Sequence, residues 1–266
     1  MKIIRFLHNS TPRYATNEGA GWVLCEGDPL SGLRPTGESV EPRTLLAPIE
    51  PPTIFAIGLN YRSHAEEMKQ PIPEHPVVTM KSVSALHAPG APIQLPRYLP
   101  SDSVDYECEL AIVIGKRCKN ATPETALSYV LGYTAANDVS ARDWQKIYSG
   151  GQWCKGKTFD TFCPLGPVIV TPEEIGDPDA LAIKTLLNSE TVQSSSTADM
   201  IFSVAELITF LSGSTTLLPG TVILTGTPPG VGTARVPPRY LMPGDKVIIE
   251  IEKIGQLVNP VEAEVL

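Results

Sequence analysis

The sequence predicts an α+β fold in which strands dominate, and two observations carry this. Short runs rich in Val, Ile, Thr and aromatic residues recur along the chain, each bounded by Gly, Pro, Asn or Asp. Few segments carry helix signals, so the regular strand-helix alternation of a parallel sheet is missing. With 266 residues, 42% hydrophobic and 19% charged, the chain can bury a sizeable core.

Taken in order, "KIIRFL" and "GAGWVLCEG" read as strands of a small N-terminal accessory unit, residues 1–52. Prolines 48, 51 and 52 mark its boundary with a catalytic domain over residues 53–266. In that domain "TIFAIG", "VVTMK", "ECELAIVIG", "LGYTAAND", "LGPVIVT", "AIKTLLN", "TVILTG" and "DKVIIEIEK" are the expected strands. "TPETALSYVL" reads as a helix opened by a Thr cap with Pro behind it, and "SVAELITFLSG" as one opened by Ser203 and Glu206 and closed at Gly213.

Composition narrows the function. A formal charge of −8 and the lack of any basic run argue against a nucleic-acid partner and favour a small molecule. Five cysteines with no C-x-x-C pair argue against a disulfide framework and a zinc knuckle. "MKIIRFLHNS" has too short an apolar run for a signal peptide and lacks the Arg-rich character of a transit peptide, and no segment has the length of a membrane span, so a cytoplasmic location is expected.

The segment "VDYECELAIVIG", read as one strand, places Asp105, Glu107 and Glu109 on one face with Ala111 and Val113, while Cys108 points to the other. The Cα atoms of Glu107 and Glu109 would stand roughly 7 Å apart, a gap that a divalent cation ~2.1 Å from each carboxylate can bridge. Acids on a solvated sheet face are the alternative. The apolar continuation of that face places them at the mouth of a core, where buried carboxylates need partners that no adjacent Lys or Arg run supplies. Asp138, ending "LGYTAAND", is a third acid that can join them or simply cap the next turn. His64 and Glu67, three apart in "NYRSHAEEM", meet on one face if that segment is helical, with Asn60 as its cap. There is no G-x-S-x-G elbow, and covalent catalysis by Ser or Cys has no support.

"NYRSHAEEM", "DYECELAIVIG", "ANDVSARDWQ", "GKTFDTFCPLGP" and "ILTGTPPGVG", in this order, resemble the signature segments of the fumarylacetoacetate hydrolase family over about residues 53 to 260. The runs "DVSARDWQ" and "QSSSTADMIF" most resemble the branch that includes the oxaloacetate tautomerases. The resemblance implies a mixed β-sandwich roll, a homodimer, and metal-dependent chemistry on enolisable keto acids.

The resemblance further implies that Glu107, Glu109 and Asp138 are the metal ligands, and three oxygen anions favour Mg²⁺ or Mn²⁺, with Ca²⁺ next and Zn²⁺ disfavoured. It makes Lys157 the group that stabilises an enolate, or relays a proton if its pKa is lowered. His64 and Glu67 become a lid dyad acting as general base. Thr227, Arg142, Gln145 and Lys81 become substrate contacts, Arg142 having an ion pair with Asp143 or another acid as its other reading. The leading expectation is hydrolytic carbon-carbon cleavage of an acylpyruvate or fumarylpyruvate. Its rivals are keto-enol tautomerisation of oxaloacetate, and decarboxylation of oxaloacetate or isomerisation of a hydroxymuconate-type diacid. A metabolite-binding scaffold without turnover is the alternative from another class.

Overall fold

The computed structural model describes residues 1–17, 19 and 21–266. Two mixed sheets and a small two-stranded ladder form it. The path of the large sheet runs Gly32–Val40, Trp22–Asp28, Thr11–Asn17, Lys2–His8, Cys163–Val170, Val130–Asn137, Cys108–Ile114, Val222–Leu224, Ile54–Gly58 and Val77–Lys81. The smaller one runs Glu190–Ser196, Ala182–Leu187, Lys246–Ile251, Gly255–Ala263 and Ile93–Leu95. Most pairs are antiparallel; Val222–Leu224 lies parallel to Ile54–Gly58, and Gly255–Ala263 to Ile93–Leu95. The small sheet packs on the centre of the large one, and their facing side chains make one core that includes Leu110, Ile112, Ile183, Ile249 and Leu257. This is the strand-dominated α+β sandwich that the sequence predicts.

The first fifty residues are joined to the large sheet rather than set apart from it. Lys2 and Ile3 pair with Val170 and Ile169, so the N-terminal hairpins extend the catalytic sheet by edge addition. The expected helix at "TPETALSYVL" is only Pro123–Ala126 followed by a 3₁₀ turn, because Val130 already enters the next strand; Val204–Ser212 forms with the expected Ser203–Glu206 capping box.

"VDYECELAIVIG" is not one strand. The ladder of Cys108–Ile114 with Val130–Asn137 ends at the pair Cys108↔Asn137, and a separate two-residue ladder pairs Val104 with Ala141 and Asp105 with Ser140. Between them Asn137 Oδ1 accepts the Glu107 N–H at 3.0 Å, and the Glu107 carbonyl accepts the Asp138 N–H at 2.9 Å. Both chains therefore break regular pairing at the same level, and the break turns Glu107 and Asp138 toward each other.

Candidate active site

Glu107, Glu109 and Asp138 are buried, and a carboxylate oxygen from each lies within 4.8 Å of the others. The alternation of Glu107 and Glu109 puts both on the inner side of the broken strand, and Asp138 arrives from its neighbour. No adjacent Lys or Arg run serves these acids, as the sequence indicates; their partners come from distant segments. Lys157 Nζ bonds to Glu107 Oε2 at 2.8 Å, to Ser140 Oγ at 2.8 Å and to Asp138 Oδ2. Arg142 Nη2 lies 2.8 Å from Asp105 and 2.7 Å from Glu107, its N–H bonds aligned with neither oxygen, while Nε donates to Asp105 at 2.9 Å.

These contacts set the charges. Burial opposes ionisation of Glu107, but the Arg142 and Lys157 cations outweigh it and hold the carboxyl well below the usual range. Glu109 behaves oppositely: burial, with repulsion from Asp138 and Glu107, pushes it well above that range. Burial also works against the Lys157 ammonium, yet Asp138, Glu107 and Glu109 more than compensate and raise its pKa. The lowered pKa that a proton-relaying lysine needs is therefore not found in this arrangement.

Among these groups, four buried carboxylates (Asp105, Glu107, Glu109 and Asp138) meet three buried cations (Lys81, Arg142 and Lys157). Glu109 is the acid without one. The three converging carboxylates are an all-oxygen ligand set, which fits a hard divalent cation.

The "GTPPGVG" turn does more than reverse the chain. The N–H groups of Gly226, Gly230 and Gly232 donate to Glu109, Glu67 and Asp105 at 2.6, 2.8 and 2.7 Å. Gly226 and Gly230 have φ of +100° and +103°, which residues with a Cβ adopt at a cost. The signal was the glycine spacing; its acid partners lie too far off in sequence to be read.

His64 and Glu67 lie on the short helix Arg62–Glu67, with His64 Nδ1 2.8 Å from Glu67 Oε2. Asn60 does not cap that helix. Its side chain instead donates to the Thr225 and Phe202 carbonyls and accepts from the Phe202 N–H, tying the start of this helix to the glycine turn.

His64, Glu107, Glu109, Lys157, Arg142 and Gln145 all face one cavity of about 250 Å³, together with Thr227. Thr227 Oγ1 accepts from Gln193 Nε2 at 2.9 Å. Lys81, expected at the substrate, does not line this cavity; its ammonium is spent on Asp138 Oδ1 at 2.6 Å and the Val139 carbonyl at 3.1 Å. Arg142 is likewise engaged, by Asp105, Glu107 and Gln145 Oε1, and not by Asp143. Sequence reasoning missed Ser140, Gln193 and Trp153. Trp153 walls the cavity against Gly58, where a Cβ would collide with its ring. Cys108, Cys25, Cys118 and Cys163 are buried free thiols, and burial pushes that of Cys108 up to about 12, so it is no nucleophile.

The sequence profile of the family described as fumarylacetoacetate (FAA) hydrolase, C-terminal, matches residues 53–262. The chain belongs to this family. A second profile, Rv2993c-like, N-terminal, matches residues 1–48. The chain is 50% identical over 219 residues, 82% of its length and 68% of the other's, to the Xenopus laevis protein named oxaloacetate tautomerase fahd2, mitochondrial. Among solved structures, the 5-carboxymethyl-2-hydroxymuconate delta-isomerase of Mycobacterium smegmatis aligns with a TM-score of 0.86 at 39% identity over 99% of this chain and 100% of that one. The fumarylacetoacetate hydrolase of Exiguobacterium antarcticum aligns with a TM-score of 0.90 at 36% identity over 99% and 100%. This is an enzyme of the family, and among its described residues no helix is long and apolar enough to cross a membrane.

Proposed function

We propose that this enzyme interconverts the keto and enol forms of a short 2-keto dicarboxylic acid of the oxaloacetate type. The observation that carries the reading is the convergence on one small cavity of His64, held by Glu67, of the buried Lys157 ammonium and of two carboxylates, Glu107 and Glu109, from the buried triad that Asp138 completes. Its volume, below the ~300–1,000 Å³ of drug-sized sites, suits a four-carbon acid. The likeness to an oxaloacetate tautomerase and to an isomerase supports proton transfer over the carbon-carbon hydrolysis expected from the sequence.

A divalent cation held by Glu107, Glu109 and Asp138 would supply Lewis acidity that favours the enolate of a chelating 2-keto acid. The rest is the work of side chains. With Glu67 accepting from Nδ1–H, His64 presents the lone pair of Nε2 to the cavity and can take the proton from the carbon beside the keto group. Glu67 stabilises the imidazolium and is itself steadied by the Gly230 N–H. The Lys157 ammonium stabilises the oxygen on which charge develops. Delivery of a proton to that oxygen instead of to carbon completes the shift. The same residues serve a 1,3-proton shift in a hydroxymuconate-type diacid, a second reading supported by the likeness to the delta-isomerase.

The test is decay of the enol absorbance of oxaloacetate with Mg²⁺ and with EDTA, beside product analysis with acetylpyruvate and fumarylpyruvate. Metal-dependent enol decay without acylpyruvate cleavage is expected. Rapid cleavage with no acceleration of tautomerisation would restore the hydrolase reading.

A further inference from the structure

Four cationic or titratable basic side chains line the cavity: His64, Arg142, Lys146 and Lys157. Three are committed, His64 to Glu67, Arg142 to Asp105 and Glu107, and Lys157 to Glu107 and Asp138. Lys146 has no acidic partner within 4 Å among the described residues. It ends the short helix Arg142–Lys146, so it stands one turn above Arg142 on the same face. Arg142 forms the floor against the acids, and Lys146 stands toward the mouth, where it is exposed.

Partial burial and repulsion from Arg142 lower the pKa of Lys146, so this ammonium sits where an anion would be welcome. Two cations four apart on one helical face repel each other, and the arrangement is relieved when a carboxylate arrives. A 2-keto dicarboxylic acid brings one. Its keto-acid end suits the carboxylate triad and Lys157, which leaves a second carboxylate that no committed cation is free to meet.

We infer that Lys146 is the specificity-determining residue of this cavity, pairing with the distal carboxylate and selecting dicarboxylic over monocarboxylic keto acids. The inference rests on the proposed reaction and names the residue that selects its substrate class. Arg142 and Gln145, expected to hold that end, instead position each other and Glu107.

The experiment compares oxaloacetate with its 4-methyl ester, which keeps the keto-enol centre and loses the distal charge. In Lys146→Met, the preference for oxaloacetate in kcat/KM should fall roughly ten- to a hundredfold, the scale of one hydrogen bond to a charged group. The loss should appear in KM for oxaloacetate and not in kcat, as for binding shared by ground and transition states. Lys146→Arg should retain most of the preference. An unchanged preference in Lys146→Met overturns the inference. If the wild type turns over neither compound, the proposed reaction fails separately, and the anchor is read by calorimetry with oxalylglycine, a dicarboxylate, against oxamate, a monocarboxylate. Lys146→Met must then cut that preference by a similar factor, and equal preference in both proteins overturns the inference.

Discussion

The Glu109 side chain accepts one hydrogen bond among the described residues, from the backbone N–H of Gly226, 2.6 Å from Oε2. Glu107 is shared by Arg142 and Lys157, and Asp138 by Lys81 and Lys157. Glu109 alone is left without a cation, in a place where an isolated carboxylate is costly. The turn that supplies the N–H thus holds in place the one acid of the triad that no cation pairs with.

Replacement of Glu109 separates metal binding from folding. Glu109→Gln keeps the shape and removes the uncompensated charge, so the metal-free variant should melt no lower than the metal-free wild type. Mg²⁺ at about a hundred times its Kd should stabilise the wild type by roughly 2.7 kcal/mol and the variant hardly at all. Calorimetric titration with wild-type Mg²⁺ affinity in Glu109→Gln would remove Glu109 from the ligand set.

Lys157 should show two effects at once. Lys157→Met keeps the apolar stem but leaves Glu107 and Asp138 short of a cation, and breaking a buried pair from one side costs about 3–5 kcal/mol. The variant should therefore melt lower in EDTA and recover part of the loss in excess Mg²⁺. Its kcat should still fall by ~10² to 10³, the scale for one preorganised charge-stabilising group. A lower melting temperature with unchanged kcat would make Lys157 purely structural.

Asp105 was visible as a third acid in the row with Glu107 and Glu109, but its role was not. It accepts from Arg142 and from the N–H groups of Gly232 and Thr233, so it fixes the end of the glycine turn and aims Arg142 at Glu107. Asp105→Ala should destabilise the fold by about 3–5 kcal/mol, because it removes the acceptor of Arg142 Nε and leaves the buried guanidinium with Glu107 as its one acid. Thermal melts of Asp105→Ala and of the double variant Asp105→Ala/Arg142→Met check this: the second change should restore stability. No recovery would show that the turn contacts, and not the ion pair, carry the cost.

Strands that bury one or both faces were legible, since "ECELAIVIG" and "DKVIIEIEK" have the period and the boundaries that strands require. Glu190–Ser196 and Thr11–Asn17 were not. Their polar, exposed residues carry no apolar alternation, and they become strands only because a neighbour supplies the ladder. Gly255–Ala263 is hidden by Pro260, which sits in the ladder opposite Lys246. In the site, the carboxylates and the His-Glu spacing are local patterns and could be read. What acids Lys81, Arg142 and the three glycine amides bind is set by pairings across 35 to 163 positions, which no window of sequence contains.

Loss of the His64–Glu67 dyad should affect hydrolysis and tautomerisation differently. Hydrolysis of a carbon-carbon bond needs a water made nucleophilic by a base, whereas tautomerisation needs one proton moved between carbon and oxygen. His64 Nε2 can serve either, but the consequences of losing it differ. His64→Ala should abolish any acylpyruvate cleavage, by at least the ~10² to 10⁴ credited to a positioned base. Tautomerisation should fall less, because buffer can replace a proton acceptor more readily than an activated water. Glu67→Gln has one acceptor oxygen for the two donors Nδ1–H and Gly230 N–H, so it keeps one of these bonds and loses the charge that stabilises the imidazolium; it should lower kcat by roughly tenfold, a smaller loss than His64→Ala. Deuterium uptake at the carbon beside the keto group, followed by NMR in D₂O with added imidazole, reads proton transfer directly. Exchange that is lost in His64→Ala and rescued by imidazole assigns the base. Wild-type exchange in His64→Ala without imidazole would move the base elsewhere and leave the dyad as the latch that docks the lid on the glycine turn.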